Sequence, residues 1–121
     1  MSIKNNILVG KKGEDIATKY LEKKGYKIIE RNWHYSKNAE IDIIAEYKKE
    51  IVFIEVKTRT NLNFGHPFES ITKTKVQKIH KAIYAYIKSA KKEYSSFRFD
   101  GIAIIGLDSP TIEHIQNLGQ F

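Results

Sequence analysis

The 121-residue chain contains no cysteine, which excludes a disulfide framework, a thiol nucleophile and any cysteine-bearing zinc or iron–sulfur centre. Proline is scarce: Pro67 and Pro110 are the only two, and both fall where turns are expected. No apolar run approaches the ~20 residues that a membrane-spanning helix needs, so no membrane insertion is expected. Residues 1–6 lack the apolar stretch and small-residue cleavage site of a secretory signal, and a cytoplasmic location is expected. No glycine-rich phosphate loop is present, so use of nucleoside triphosphates is not supported. His34, His66, His80 and His114 show no metal-ligand spacing, which argues against a histidine zinc site. Repeats, linkers and low-complexity tracts are also missing, and residues 1–121 read as one domain.

What the chain does have is charge, with 21 Lys and Arg against 14 Asp and Glu, a formal net charge of +7. A 41% apolar share beside 29% charged residues is a globular composition. The basic excess implies attraction to polyanions. It is uneven: +3 over residues 1–30, +1 over 31–60, +5 over 61–95 and −2 over 96–121. A basic helical segment beside a stretch that concentrates acids suggests a phosphate-binding surface around a metal site. A lysine-rich solvated surface is the plainer alternative.

Hydrophobic spacing predicts a helix over roughly residues 4–24, weakened by Gly10 and Gly13 and stopped by Gly25. Strands are expected over 26–33, 40–47 and 50–58, the last two joined at Lys48-Lys49. A loop over 61–67 leads to a second helix from about Ser70 to Lys92, whose apolar stripe includes Val76, Ile79, Ile83 and Ala90. A strand over 97–105 follows, then a short edge strand over 111–116 begun by Pro110. The order αβββαβ is an α/β pattern: a meander feeding a right-handed parallel crossover, hence a mixed sheet flanked by helices.

The hairpin carries the chemistry. With a turn at Lys48-Lys49, paired positions sum to 97, placing Asp42 opposite Glu55 and Glu40 opposite Lys57. Asp42, Glu55, Lys57 and Arg59 then share one face, while an odd-length turn would shift the pairing by one. Two carboxylates at ~5 Å repel by roughly 3 kcal/mol at an effective dielectric of 20. Residues 51–54 are continuously apolar, as in a covered central strand. A like-charge pair there needs a raised pKa or a bound cation, and an oxygen-rich site with a nearby ammonium suits Mg²⁺ or Mn²⁺. The alternative is a strand end in solvent with Lys57 neutralising Glu55. Glu14 lies at the edge of the first helix's buried stripe and should point toward the sheet, although an acid near a helix start is also favoured by the macrodipole.

An acid followed on the next strand by Glu-x-Lys resembles the PD-(D/E)xK nucleases of the restriction-endonuclease-like superfold. A wider arrangement resembles the bacterial YraN-like family: Gly13-Glu14, Arg31-Asn32, Glu40-Ile41-Asp42, Phe53-Ile54-Glu55-Val56-Lys57, Phe64-Gly65, Lys75 and Arg98-Phe99-Asp100. That family is predicted to be nuclease-like and to share its fold with archaeal Holliday-junction resolvases. The resemblance implies that Asp42 and Glu55 are metal ligands together with the carbonyl of Val56. It further implies that Lys57 is the motif lysine and Glu14 the helix acid. The chain departs from the family at Ala39, where glycine is usual, and a positive φ there would strain alanine.

The expectation is a Mg²⁺- or Mn²⁺-dependent endonuclease acting on DNA, with branched or structured DNA as a candidate substrate and Glu14, Asp42, Glu55 and Lys57 as catalytic residues. Arg59, Lys75 and Lys78 are the expected DNA-backbone contacts, and analogy with the resolvases suggests a homodimer. Trp33 and Tyr35 read as strand aromatics before base-stacking ones, and Arg98 with Asp100 as an ion pair. Two alternatives stand beside the nuclease: a non-catalytic nucleic-acid-binding module of the same fold, and a basic protein-interaction domain.

Overall fold

The computed structural model describes residues 3–37, 39–63, 65–69, 71–106 and 108–118, with the backbone alone for 3–8. Two helices and five strands occur in the order α1 (Ile3–Lys23), β1 (Lys27–Ser36), β2 (Ala39–Tyr47), β3 (Glu50–Arg59), α2 (Lys73–Ser89), β4 (Ser96–Ile105) and β5 (Thr111–Ile115). The strands form one sheet in chain order. β3 and β4 pair in parallel across the α2 crossover, and every other pair is antiparallel. The fold is the mixed-sheet α/β arrangement that the element pattern predicts. No helix of the described residues is long and apolar enough to cross a membrane.

β3 shows why the sheet is covered on both faces. Its residues 51–54 are all fully buried. Val52 and Ile54 pack with Ala17 and Leu21 of α1, whereas Ile51 and Phe53 pack with Ile79, Ala82 and Ile83 of α2. The period-two alternation of a strand sends successive side chains into opposite layers. Trp33 is half-buried and packs edge-on against Tyr86 of α2, as the strand-aromatic reading expects, whereas Tyr35 beside it is exposed and not the half-buried residue expected.

Helix ends follow local chemistry. α1 closes with a Schellman motif: Tyr26 N–H donates to the Leu21 carbonyl, Gly25 N–H to that of Glu22, and Gly25 takes φ +94°. α1 continues unbroken through Gly10 and Gly13. A Cβ on Gly13 would collide with the Thr58 hydroxyl, so this glycine lets α1 lie close against β3. α2 is shorter than expected at both ends. Thr72 caps its start, its hydroxyl accepting from the Lys75 N–H at 3.1 Å, and Ala90 is already extended at φ −69°, ψ 140°. The expected start at Ser70 lies outside the described residues, as does Phe64. β1 runs three residues beyond Trp33, to Ser36, because its pairing with β2 continues to Ala39. Ala39 starts β2 buried and without a positive φ, so the strain anticipated from the missing glycine does not arise.

Candidate functional site

The β2–β3 turn has two residues, Lys48 and Lys49, at φ +49° and +68°. Positive φ at both central positions is the type I′ pattern, which matches the twist of a two-residue hairpin. It sets the register foreseen from the sequence, with partners from Tyr47↔Glu50 to Ile43↔Ile54. There the ladder stops, and neither Asp42↔Glu55 nor Glu40↔Lys57 is a strand pair.

The interruption has a visible cause. Ile41 packs on the α2 side and Ile43, two residues on, packs on the α1 side. An unbroken strand would put both on one face, so the alternation slips at Asp42. β1 slips beside it, since Arg31 reaches α1 at Asp15 while Trp33 packs toward α2. Between them Asn32 adopts φ +53°. Hairpin geometry alternates paired positions, and with Tyr47↔Glu50 closing the turn, Val56 would be next to exchange hydrogen bonds with Ile41. Instead its N–H donates to Asp42 Oδ2 at 2.8 Å. A strand residue points its N–H and C=O to the same side. The Val56 carbonyl therefore faces the same gap.

Asp42 lies at the centre of this break. Burial pushes its carboxyl up to about 7; the charges of Glu14, Glu55 and Glu40 add to that, and the Val56 N–H acts against it. Glu55, on the α2 face of β3, meets Lys75 Nζ at 2.9 Å and Lys57 Nζ at 3.8 Å through the same oxygen, Oε1. Its Oε2 is buried with no hydrogen-bond partner. The nearer cation is thus Lys75 from α2 rather than the motif lysine. Burial is the main influence lowering the Lys57 pKa, assisted by Lys75 and Arg59 and opposed by Glu55.

Glu14 points from α1 to the sheet, as its place on the helix suggests. Its carboxylate accepts from Arg31 Nη2 at 3.4 Å and from Asn32 Nδ2 at 3.0 and 3.2 Å. The same amide nitrogen donates to Glu40 Oε1 at 3.1 Å. Asn32 therefore joins two acids, a role that sequence reasoning missed. The available signal was its type: asparagine is enriched among non-glycine residues at positive φ.

The cleft brings together Glu14, Asp42, Val56, Lys57 and Arg59 on the α1 side of Asp42. On the α2 side it brings together Asp42, Glu55, Lys75 and Lys78, with His34 and Lys37. The eight residues singled out from the sequence thus line two adjoining hollows that share Asp42. Arg59 ends β3 and donates to the Thr58 carbonyl at 2.8 Å. Among the described residues, no three carboxylate or imidazole side chains converge as a metal site. The donor types nevertheless suit a hard divalent cation: the carboxylates of Asp42 and Glu55, the latter with one oxygen buried and unpartnered, and the Val56 carbonyl, all oxygen.

The family described as uncharacterised protein family UPF0102 matches residues 13–104, a span from Gly13 beside Glu14 to the end region of β4. The chain belongs to it. Among UPF0102 relatives, a protein of Flavobacterium johnsoniae is 46% identical over 111 residues, covering 88% of this chain and 89% of its own. One from Phocaeicola vulgatus is 45% identical over 108 residues, 88% of each chain. A third, from Caldanaerobacter subterraneus subsp. tengcongensis, is 46% identical over 115 residues, covering 94% of this chain and 93% of its own. Each is called a UPF0102 protein, and the name assigns no activity. The YraN-like resemblance read from the sequence is this family.

Proposed function

We propose that this UPF0102 protein is a divalent-metal-dependent endonuclease that hydrolyses phosphodiester bonds in DNA. One observation carries the reading: Asp42 and Glu55 stand where the β2–β3 ladder opens, with Glu55 Oε2 buried and unpartnered. Asp42, Glu55 and the Val56 carbonyl would hold Mg²⁺ or Mn²⁺. Such an ion lowers the pKa of bound water and offsets charge on phosphoryl oxygens.

The protein's own groups divide the remaining work. Lys57 projects from the same face as Glu55 and can hold an attacking water or neutralise developing negative charge. Glu14, fixed by Asn32 and Arg31, presents a carboxylate toward the same hollow as Asp42. Arg59 and Lys78 supply cations for the flanking backbone, and Lys75 holds Glu55 in place. A second reading has its own observation. The 2.9 Å Lys75–Glu55 pair neutralises that carboxylate without a metal, as in a nucleic-acid-binding module with no catalysis.

A panel of labelled duplex, single-stranded, flap and four-way-junction DNAs, each with Mg²⁺, Mn²⁺ or chelator, separates them. Cleavage of one substrate that needs metal and disappears in Glu55→Gln supports the nuclease. Binding without cleavage across the whole panel replaces it with the binding module. Absence of binding at low salt removes both and leaves a protein-interaction domain.

A further inference from the structure

Asp42 is the shared wall of two hollows, and the groups beyond it differ. On the α1 side the wall continues through Glu14, Val56, Lys57 and Arg59. On the α2 side a hollow of about 290 Å³ is walled by His34 of β1, by Lys37 from the β1–β2 connection and by Lys75 and Lys78 from α2. At ≈ 30 Å³ per water this is space for about ten waters, ample for a phosphodiester. Its charges are not all spoken for. Lys75 is engaged by Glu55 and His34 lies 3.7 Å from Glu40. Lys37 and Lys78 are exposed, and no carboxylate among the described residues pairs with either.

We infer that this second hollow seats a backbone phosphate adjacent to the one at Asp42, with Lys37 and Lys78 as its cations. The inference rests on the nuclease reading and deepens it. A nucleic-acid strand then crosses the open end of the sheet, from the Lys37–Lys78 seat past Asp42 to Arg59. Cations flank the acids on both sides. The track therefore accepts the interior of a strand and requires no terminus. Lys37 is the new element, because it comes from the β1–β2 connection, away from the motif strands.

The test measures binding of fluorescein-labelled single-stranded and duplex DNA in chelator, by anisotropy against KCl concentration, for wild type and Lys37→Ala/Lys78→Ala. Each lost phosphate contact reduces the slope of log K against log salt by about 0.7 on single strands and 0.9 on duplex. The double variant should lose about 1.4 to 1.8 of slope and bind at least tenfold more weakly. Lys24→Ala/Lys91→Ala removes two lysines that line neither hollow and should change the slope by less than half as much. A slope unchanged in Lys37→Ala/Lys78→Ala, or lost equally in the control pair, overturns the seat while leaving the nuclease reading intact. In the presence of Mn²⁺, covalently closed single-stranded circles should be cut as fast as linear strands of the same sequence. Cleavage confined to linear strands overturns the through-running track and the endonuclease reading with it, whereas the salt slopes test the Lys37–Lys78 seat alone. A wild type that neither binds nor cuts any DNA fails the nuclease reading itself.

Discussion

The Val56 N–H donates to Asp42 Oδ2 at 2.8 Å in place of the Ile41 carbonyl that a continuing β ladder would offer. A side chain thus completes a backbone pairing, and the strand edge opens where the acids converge. The substitution keeps the Val56 N–H paired when the strands part. It also fixes one Asp42 oxygen and leaves the other toward the cleft.

Asp42→Asn tests this arrangement. An amide oxygen can still accept from Val56, so the fold should persist, and loss of a buried carboxylate with three acids nearby should leave stability equal or higher. Manganese affinity by calorimetry should fall at least tenfold, and cleavage by a factor on the order of 10² to 10³, as for removal of one electrostatic catalytic group. Retained cleavage in a folded Asp42→Asn protein would remove Asp42 from the chemistry.

Gly13 and Gly10 predict opposite outcomes in the same helix. An added Cβ at Gly10 meets nothing within 4 Å, so Gly10→Ala should gain up to about 1 kcal/mol of helix stability. At Gly13 the new Cβ strikes Thr58, a β-branched side chain with little rotameric freedom. Gly13→Ala should therefore destabilise, by about 1–3 kcal/mol as for overpacking, and Thr58→Gly should recover part of the loss. Denaturant unfolding of the three variants decides it. Because Glu14 follows Gly13 directly, cleavage should fall in Gly13→Ala more than in Gly10→Ala.

The acid limb of stability should depend on Asp100, among the described residues the one charged side chain wholly buried. Burial alone would raise its carboxyl pKa. Hydrogen bonds from His114 at 2.7 Å, Arg98 at 2.8 Å and the Asn117 N–H at 3.1 Å, together with the Arg98 charge, outweigh burial and hold it below the ordinary range. A depressed folded pKa contributes stability that is present above the unfolded value, about 3.9, and lost as pH falls through the folded value. Asp100→Asn should cost less than the about 3–5 kcal/mol of an unpaired buried charge at pH 7, since Arg98 keeps its 3.3 Å contact with Glu50 while losing its buried partner. It should also flatten the stability decline below pH about 4. Urea midpoints between pH 2.5 and 7 measure both effects.

Arg98 and Asp100 show how much the sequence could reveal. Their spacing on one strand announced an ion pair, but not that His114 of β5 and Tyr26 would join it, because those contacts arise only when distant segments fold together. The β2–β3 register was legible because a two-residue turn and period-two burial leave few choices. The slip at Asp42 was not, since extrapolating an alternation assumes that the strand continues. Lys75 shows the same limit: its place near the start of α2 was legible, although it falls in the first turn and not one turn in, and the reach of its ammonium to Glu55 depends on how the crossover lays that helix on the sheet. The apolar stripe identified α2 while leaving its start open, which the Thr72 hydroxyl then determined.

Asn32 offers a way to separate backbone shape from site chemistry. Its φ of +53° is the conformation in which β1 changes face, and its amide holds Glu14 and Glu40 together. Asn32→Gly keeps the backbone accessible but removes the amide, so the protein should remain folded while the two acids lose their common donor. Asn32→Ala removes the amide and adds a left-handed conformational cost of about 1–2 kcal/mol. The two variants should therefore share a 10- to 100-fold loss of cleavage, the scale seen when a group that orients a site residue is lost. Only Asn32→Ala should also show the larger fall in melting temperature. If Asn32→Gly cleaves as wild type does, the hydrogen bonds to Glu14 and Glu40 serve the fold alone. If both variants lose activity in proportion to stability, the left-handed turn rather than the amide is what the site requires.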